Sequence, residues 1–399
     1  MGGTRAPRLH LALLGVFVSV SLLSLSTPTL QDQDYYPTNP RLFKAYIALQ
    51  KWKHSITDDP HNVTASWCGP DVCKYEGVFC APAPGDPHEL TVAGVDLNKK
   101  NIEGTLPDEL GLLCDLALFH LNSNRFCGTI PESFREMKLL HELDVSNNRL
   151  EGPFPGVVLD IPSLKFLDIR FNRFHGDIPS RLYDLKFDAI FLNNNEFKSS
   201  IPDNFGNSPV SVIVLANTQI GGCLPTSLGN MAKTLSEIII MNTGVRSCIP
   251  PELGKLKELR VLDLSYNKLV GPLPETLGYL RKLEQLDVAH NHLSGEIPES
   301  ICELPRLKNF TYSYNYFCGA PEMCLKIKRK DDRKNCIPYR PLQRPEEQCM
   351  AALSRPVHCS AYGCMASPPP PPPPAHYPYY SPPLPSPPPP SPPPPPHYY

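Results

Sequence analysis

Residues 259–274 have the sequence LRVLDLSYNKLVGPLP, which fits the pattern L-x-x-L-x-L-x-x-N-x-L-x-G-x-I-P with Leu in place of Ile near the end. The pattern recurs ten times between Val92 and Gly319 at a period of about 24 residues. One position of the repeat holds Asn in most copies and Thr in two, in the order Asn124, Asn148, Asn172, Asn195, Thr218, Thr243, Asn267, Asn291, Asn315. The repeat therefore decides the fold.

A period of 20–29 residues with this pattern predicts a leucine-rich repeat solenoid. We expect an α/β solenoid, a right-handed superhelix of about ten plant-type repeats with a parallel β-sheet on its concave face. Apolar pairs such as Leu262 and Leu264 point into the coil, and the Asn amide satisfies backbone groups of the inward turn. Thr218 and Thr243 offer only a hydroxyl, so the sequence predicts irregularity in those two coils.

The chain divides into five segments. Residues 1–26 combine Arg5 and Arg8 with a short apolar run, which is typical of a secretory signal peptide. Residues 27–90 are predicted to form an N-terminal cap with a helix over residues 41–52, because a solenoid must cover the apolar face of its first coil. The rest comprises the repeats with a C-terminal cap (91–324), a Cys-containing basic hinge (325–366) and a Pro-rich tail (367–399), expected to be disordered polyproline II.

Composition restricts the compartment and the function. No second apolar run of membrane-spanning length follows the signal, so we expect a secreted chain without a membrane span. Its 14 cysteines then predict disulfides. Acidic residues outnumber basic ones over residues 27–324, which favours basic partners and argues against nucleic acid. The chain has no phosphate loop, zinc-protease helix or nucleophile elbow, so we expect no enzyme, no cofactor and no metal site.

Three disulfides are predicted from position. Cys73 and Cys80 are close in sequence, and Cys302–Cys324 would close the C-terminal cap. Cys223 and Cys248 occupy the same slot in successive coils, where neighbouring strands lie roughly 5 Å apart, so we predict a third bridge there. Other cysteines leave alternatives open. Four of them allow three pairings among themselves (Cys336, Cys349, Cys359, Cys364), and four have no obvious partner within the chain and include a candidate for an interchain bridge (Cys68, Cys114, Cys127, Cys318).

Register along each strand predicts the concave surface. The outward positions are Asp96/Asn98, His120/Asn122, Asp144/Ser146, Asp168/Arg170, Phe191/Asn193, Val214/Ala216, Ile239/Met241, Asp263/Ser265, Asp287/Ala289 and Thr311/Ser313. Four outward positions in three successive coils are apolar, and carboxylates flank them; together these form the predicted binding site: Phe191, Val214, Ile239, Met241, Asp168, Asp263, Asp287. An exposed apolar patch with a polar rim is typical of a partner site. The alternative for the aspartates is a structural side-chain ladder.

Candidate modification sites lie elsewhere. Asn62-Val-Thr64 and Asn309-Phe-Thr311 are N-glycosylation sequons. The tail repeats a Ser followed by a proline run and carries two tyrosine pairs, Tyr379-Tyr380 and Tyr398-Tyr399. The proline runs are compatible with a simple spacer or with a ligand for a domain that binds polyproline helices. Neither alternative accounts for the tyrosine pairs.

In its combination of segments the sequence resembles the plant leucine-rich repeat extensin family. The resemblance rests on the signal, the repeats ending in G-x-I-P, the Cys-bearing hinge and the Ser-Pro runs with Tyr, and it covers nearly the whole chain. Three segments closely resemble sequences that are specific to this family: residues 71–80 (DVCKYEGVFC), 119–127 (FHLNSNRFC) and 309–315 (NFTYSYN). The tail is short for the family, and Cys68, Cys114 and Cys318 look like additions to its usual cysteines.

This resemblance implies a secreted glycoprotein of the plant cell wall. The repeats would bind a basic, Cys-rich peptide of the rapid alkalinization factor type, and so modulate wall formation and cell expansion. The tail would be hydroxylated, glycosylated and cross-linked through Tyr379, Tyr380, Tyr398 and Tyr399. A disulfide-linked homodimer is also implied, with Cys127 as a candidate interchain cysteine.

Two other functions remain open from the sequence. One is an apoplastic inhibitor of wall-degrading enzymes, which would not need residues 325–399. The other is a purely structural wall glycoprotein, in which a run of basic residues would hold anionic pectin (Lys326, Lys328, Arg329, Lys330, Arg333, Lys334). The alternative for that run is a solvated hinge.

Overall fold

A computed structural model describes residues 37, 39–355 and 357–362. Its largest element is a 12-stranded sheet on the concave face, parallel except for the antiparallel first pair. The sheet contains, in spatial order, Val78–Ala83, Asp86–Asp96, Leu118–His120, Glu142–Asp144, Phe166–Asp168, Ala189–Phe191, Val212–Val214, Glu237–Ile239, Val261–Asp263, Gln285–Asp287, Asn309–Thr311 and Arg329–Asp331. The predicted right-handed leucine-rich repeat fold is confirmed.

A second layer of strands is split into two sheets. The first has seven strands: Ile56–Asp58, Glu103–Thr105, Arg125–Gly128, Arg149–Pro153, Arg173–Gly176, Glu196–Ser200 and Gln219–Gly221. The second has three: Val270–Gly271, His292–Glu296 and Tyr316–Gly319. The break falls in the coil of Thr243, one of the two coils whose missing Asn predicts irregularity.

Short helices close the coils on the convex side. α1 (Pro40–Ser55), α2 (Glu299–Cys302) and α3 (Glu346–Leu353) are α-helical. The remaining turns are 3₁₀-helices at Val63–Ser66, Val72–Lys74, Asp108–Leu112, Glu132–Glu136, Gly156–Asp160, Ser180–Asp184, Asp203–Asn207, Thr226–Met231, Pro251–Lys255, Glu275–Tyr279, Glu322–Lys326 and Cys359–Tyr362. Most of them follow a proline at the end of the repeat, because proline sets the extended backbone that precedes the turn.

The N-terminal cap is built on α1. The Asn39 side chain accepts hydrogen bonds from the backbone N–H groups of Arg41 and Leu42, which caps the helix start. The buried ring of Trp52 packs 5.6 Å from Phe119 and 5.7 Å from Phe126 of the first coils. This aromatic cluster covers the apolar end of the solenoid, as the sequence predicts.

The asparagine of each repeat links its coil to the preceding coil by side-chain hydrogen bonds. The Nδ2 of Asn291 donates to the backbone oxygens of Leu264, Val288 and Ala289, and its Oδ1 accepts from the N–H of Leu269. The hydroxyl of Thr218 donates only to the oxygen of Leu215. One hydroxyl thus replaces four amide contacts in that coil, and the second layer breaks in the next coil, which also has Thr at this position.

The solenoid extends beyond the boundary expected at residue 324. Arg329–Asp331 pairs in parallel with Asn309–Thr311, and the buried Asn335 donates to Tyr312 and Asp332 oxygens as the other column asparagines do. Part of the segment expected to be a hinge is therefore a further coil. Its basic side chains, such as Lys330, are exposed at the edge of the sheet.

The disulfides correct one prediction. The Cys73–Cys80 and Cys302–Cys324 bridges are present, and Cys336 pairs with Cys349. The predicted Cys223–Cys248 bridge is wrong, because Cys248 is bonded to Cys359 over a separation of 111 residues; Cys223 is disulfide-bonded as well. Neither Cys223 nor Cys248 lies in a strand, and the second layer is interrupted in the coil of Cys248, so the spacing of paired strands on which the prediction rested does not apply there.

Candidate functional site

The predicted apolar residues lie side by side on the concave sheet. Phe191 is in register with Val214, and Val214 with Ile239. All three side chains are half-buried, as is Met241 two residues beyond Ile239. The strands thus bring one apolar residue from each of three coils into a continuous row.

A second apolar row lies beside the first, and our reading of the sequence missed it. Phe166, Ala189, Val212, Glu237 and Val261 are successive register partners and are all half-buried. Only Glu237 interrupts the apolar character. The signal was available, because residues two positions apart in a strand share a face. We define the central patch as Phe166, Phe191, Val212, Val214, Ile239 and Val261.

Aromatic and cationic side chains order the N-terminal edge of the central patch. The rings of Phe166 and Phe191 lie 5.5 Å apart, and the guanidinium carbon of Arg170 lies 5.1 Å from the Phe191 centroid. The Nε of Arg170 is also 3.1 Å from an Asp168 oxygen. Arg170 therefore contacts both the Asp168 carboxylate and the Phe191 ring. These two contacts hold the side chains at this edge of the central patch in place.

Asp168 differs from the prediction of an outward, accessible carboxylate. It has the expected register between Asp144 and Phe191, but it is only 1 % exposed. Burial, followed by the nearby charge of Asp144, raises the pKa of Asp168 to about 7, and Arg170 opposes the rise. This carboxyl is covered by its neighbours and does not offer an open anionic site.

The carboxylates on the C-terminal side are more accessible. Asp263 and Asp287 are direct register partners and are half-buried. Burial raises the pKa of Asp287 to about 6; the Ala289 N–H lowers it, whereas Asp263 and Asp331 add to the rise. Two neighbouring carboxylates beside Ile239 therefore form an acidic rim of the central patch.

The aspartate column also has a structural role. Each of these strands ends at its aspartate, and Asp144, Asp263 and Asp287 each accept a hydrogen bond from the N–H two residues onward, just beyond the strand. The hydroxyls of Ser146 and Ser265 donate to the same oxygens as their own N–H groups, at 2.6 Å. The structural alternative thus accounts for one oxygen of each carboxylate; among the described residues no side-chain hydrogen bond reaches the other oxygen.

Both sequons lie within the described residues. Asn62 is exposed in a left-handed turn, and the Thr64 hydroxyl donates to Asp59. Asn309 is half-buried on the concave sheet, in register with Gln285 and Arg329. A glycan on Asn309 would stand on the concave sheet, four strands from Val212–Val214.

The unpaired cysteines differ in accessibility. Cys68 and Cys114 are exposed, whereas Cys127 and Cys318 are half-buried. The Cys127 thiol lies 3.6 Å from the Gly104 oxygen on the second layer of strands. An interchain bridge through Cys127 therefore remains a prediction, and the signal segment and the tail residues Tyr379, Tyr380, Tyr398 and Tyr399 lie outside the described residues.

Among the described residues, no helix is long and apolar enough to cross a membrane. Within the same part of the chain, no group of three or more His, Cys, Asp or Glu side chains is arranged to hold a metal ion.

Comparison with known families agrees with this architecture. A leucine rich repeat model matches residues 115–174 and 233–293, and a leucine rich repeat N-terminal domain model matches residues 46–81. Both models describe repeat modules, and neither describes an enzyme.

Curated relatives match over most of the chain. Leucine-rich repeat extensin-like protein 6 of Arabidopsis thaliana is 56% identical over 88% of this chain and 76% of its own length. Leucine-rich repeat extensin-like protein 7 of the same plant is 56% identical over 90% of this chain and 86% of its own length. Others are longer, and the chain spans only 42% of leucine-rich repeat extensin-like protein 2.

A solved receptor ectodomain has a similar fold. The receptor kinase HAESA of Arabidopsis, in complex with an extended IDA peptide hormone, aligns with a TM-score of 0.59 and 26% identity over 74% of this chain and 54% of that one. The identity to extensin-like proteins 6 and 7 is far higher, and that match extends over most of their length. The chain belongs to the leucine-rich repeat extensin-like family.

Proposed function

We propose that this chain is a secreted plant cell-wall protein whose repeats bind a basic, Cys-rich signalling peptide of the rapid alkalinization factor type. The observation that carries the proposal is the central patch with its acidic rim. Ile239 lies in register with Val214 on one side and with Asp263 on the other, so apolar and anionic groups adjoin directly. A folded peptide with apolar side chains and cations complements both.

Charge supports a basic ligand on this face. Asp263 and Asp287 stand next to each other, and neither has a cation partner among the described residues. Two adjacent carboxylates repel each other, and a bound cation relieves that repulsion. Arg170, the cation at the opposite edge of the central patch, is already paired with Asp168.

The comparisons support peptide recognition at the level of fold. The HAESA ectodomain binds a peptide hormone on a repeat scaffold of the same kind. Membership of the extensin-like family supports placement in the cell wall, a tail cross-linked through its tyrosines, and modulation of wall formation and cell expansion. A disulfide-linked homodimer and contacts with pectin belong to the same proposal.

The test is calorimetric titration of the full-length chain with a folded basic alkalinization-factor peptide, at low and raised salt. We expect binding that weakens with salt, because part of it comes from exposed charges. Ile239→Lys places a cation in the central patch and should weaken binding at least tenfold. The half-buried position lets the lysine reach solvent, so the solenoid should stay folded.

Leu118→Lys is the matched control. Leu118 is also apolar, is 40% exposed and lies on the same sheet, five strands from Glu237–Ile239. That variant should bind as the parent does. Unchanged affinity of the Ile239→Lys variant would exclude the central patch, and no binding by the folded parent would favour the purely structural wall role.

A further inference from the structure

An apolar cavity lies where the second layer of strands is interrupted. The coil of Thr243, which the structure describes in full, has no second-layer strand, and Ser247 and Cys248 of that coil line the cavity. Cys359 lines it as well, through its disulfide with Cys248. The cavity has a volume of about 330 Å³, which is at the lower end of the range for small-molecule sites.

Proline is the commonest residue in the cavity wall. Two successive coils contribute Pro250, Pro251, Pro272 and Pro274. The C–H groups beside a proline nitrogen carry partial positive charge, and the face of an aromatic ring is negative, so a flat ring packs well against them. Among the polar lining residues, Ser247 already accepts a hydrogen bond from the Leu224 N–H at 3.3 Å, and Thr226 is exposed. Glu252 is the one charged residue that lines the cavity.

Glu252 departs from the pattern of its position in the repeat. In five coils the 3₁₀-helix holds a glycine that lies directly against one residue of the following coil. In four of them the facing residue is small and carries a hydroxyl, namely Ser133, Ser227, Thr276 and Ser300. In the fifth, Glu252 faces Gly229. Packing alone favours serine or threonine there, so the carboxylate points to another requirement.

The carboxylate of Glu252 has an unsatisfied oxygen. Glu252 is half-buried as a residue, but its Oε2 is buried and has no hydrogen-bond partner among the described residues. Lys255, on the same 3₁₀-helix, is exposed, and no ion pair joins the two in that part of the chain. A buried carboxylate oxygen without a donor costs free energy. Because the last torsion of a glutamate side chain is soft, this oxygen can turn to a donor in the cavity.

We propose that this cavity binds a small arylalkylamine, a molecule with one aromatic ring and a protonated amine on a short alkyl arm. The ring packs against the proline rings of the two coils, and the ammonium donates a charge-assisted hydrogen bond to the Glu252 carboxylate. A single ring with a two-carbon arm suits a cavity of this volume. The site lies away from the central patch, which is on the concave sheet, and does not depend on peptide binding there.

The test is a ligand-observed NMR titration of the full-length chain with phenethylamine, for which we expect saturable binding. 2-Phenylethanol keeps the ring without the charge, and hexylamine keeps the charge without the ring; each should bind at least fivefold more weakly. Equal binding of hexylamine would assign the cavity to aliphatic cations such as a lysine side chain of a partner protein. Equal binding of 2-phenylethanol would assign it to uncharged aromatic molecules. Either result, or no binding of phenethylamine by the folded chain, would overturn the proposal.

Variants of Glu252 separate ligand binding from a structural role. Glu252→Gln keeps the size of the side chain and should weaken phenethylamine binding at least fivefold while leaving 2-phenylethanol binding unchanged. Glu252→Ser restores a residue of the other coils, so it should keep or raise the melting temperature and lose the same preference for the amine. Glu299→Gln, exposed at the start of α2, is the matched control and should change neither affinity. Loss of both ligands in Glu252→Gln, or an equal loss in the control, contradicts the assignment.

Discussion

Gly271 leaves the space that the sulfur of Cys359 occupies. A Cβ built on Gly271 would lie 3.0 Å from the Cys359 Sγ and 2.9 Å from the Cys248 Sγ, and Gly271 has φ +78°. The bridge they form closes a loop of more than 100 residues, which constrains the unfolded chain by roughly 4–5 kcal/mol in the chain-entropy model. One glycine thus makes room for the covalent link that holds the C-terminal segment to the solenoid.

We therefore expect Gly271→Ala to destabilise the protein in two ways. The positive φ costs about 1 kcal/mol, and the contact with two sulfur atoms adds to that cost. Gly176→Ala is the control, because Gly176 has φ +76° and an alanine methyl group there would have no neighbouring atom within 4 Å. Denaturant unfolding of both variants measures the difference. Equal destabilisation would mean that the bridge adapts freely to a methyl group.

The second prediction concerns Asn291. Its amide makes four hydrogen bonds to backbone groups of two coils, and Asn291→Ala would leave these buried groups without partners. We expect a loss of at least about 3 kcal/mol in the free energy of unfolding. Thr218→Ala removes a single hydroxyl contact and should cost about 1 kcal/mol. Similar losses in the free energy of unfolding for the two variants, measured in urea, would contradict the role of the amide in linking the coils.

The third prediction is a pH dependence of stability from Asp168. Its folded-state pKa of about 7 lies above the ordinary value near 3.8, so between these values the folded state holds a proton that the unfolded state has released. The contribution of this group is therefore lost as pH rises from about 4 to about 7. Asp168→Asn should stabilise the protein at pH 7.5 by about 1–2 kcal/mol and have little effect at pH 4.

Urea unfolding at pH 4 and pH 7.5 measures this effect. Asp263→Asn is the control, since Asp263 accepts the same hydrogen bond two residues onward but is half-buried. The opposite sign, with Asp168→Asn destabilising at pH 7.5, would show that the ion pair with Arg170 outweighs burial.

The fourth prediction concerns peptide affinity and pH. Asp287 has a pKa of about 6, so it gains a proton as pH falls from 7 to 5 and loses the charge that attracts a basic ligand. We expect affinity to fall several-fold over this range. Asp287→Asn should bind more weakly at pH 7 and lose most of the pH dependence. Calorimetry at the two pH values measures both effects, with Asp96→Asn at the far end of the sheet as the control; an unchanged pH profile in Asp287→Asn would exclude this carboxyl.

Periodicity explains why much of the site could be predicted. Phe191, Val214 and Ile239 occupy one slot of a repeat, and parallel in-register pairing sets equal slots side by side. The stacked rings of Tyr266, His290 and Tyr314 had a sequence signal of the same kind, because these residues are spaced by one period. That signal passed unrecognised because their slot is polar in most coils.

The sequence by itself determined the solenoid, the column of asparagines that link successive coils, and the row of apolar side chains on the concave sheet. These features depend on the repeat, which acts within a coil or between adjacent coils. Only the tertiary structure decided that Cys248 joins Cys359, that Asp168 is buried beside Arg170, and that the guanidinium carbon of Arg344 lies 4.3 Å from the centre of the Tyr316 ring. Each of these contacts depends on which side chain covers another across many residues of chain, and a local repeat holds no information about such distant neighbours.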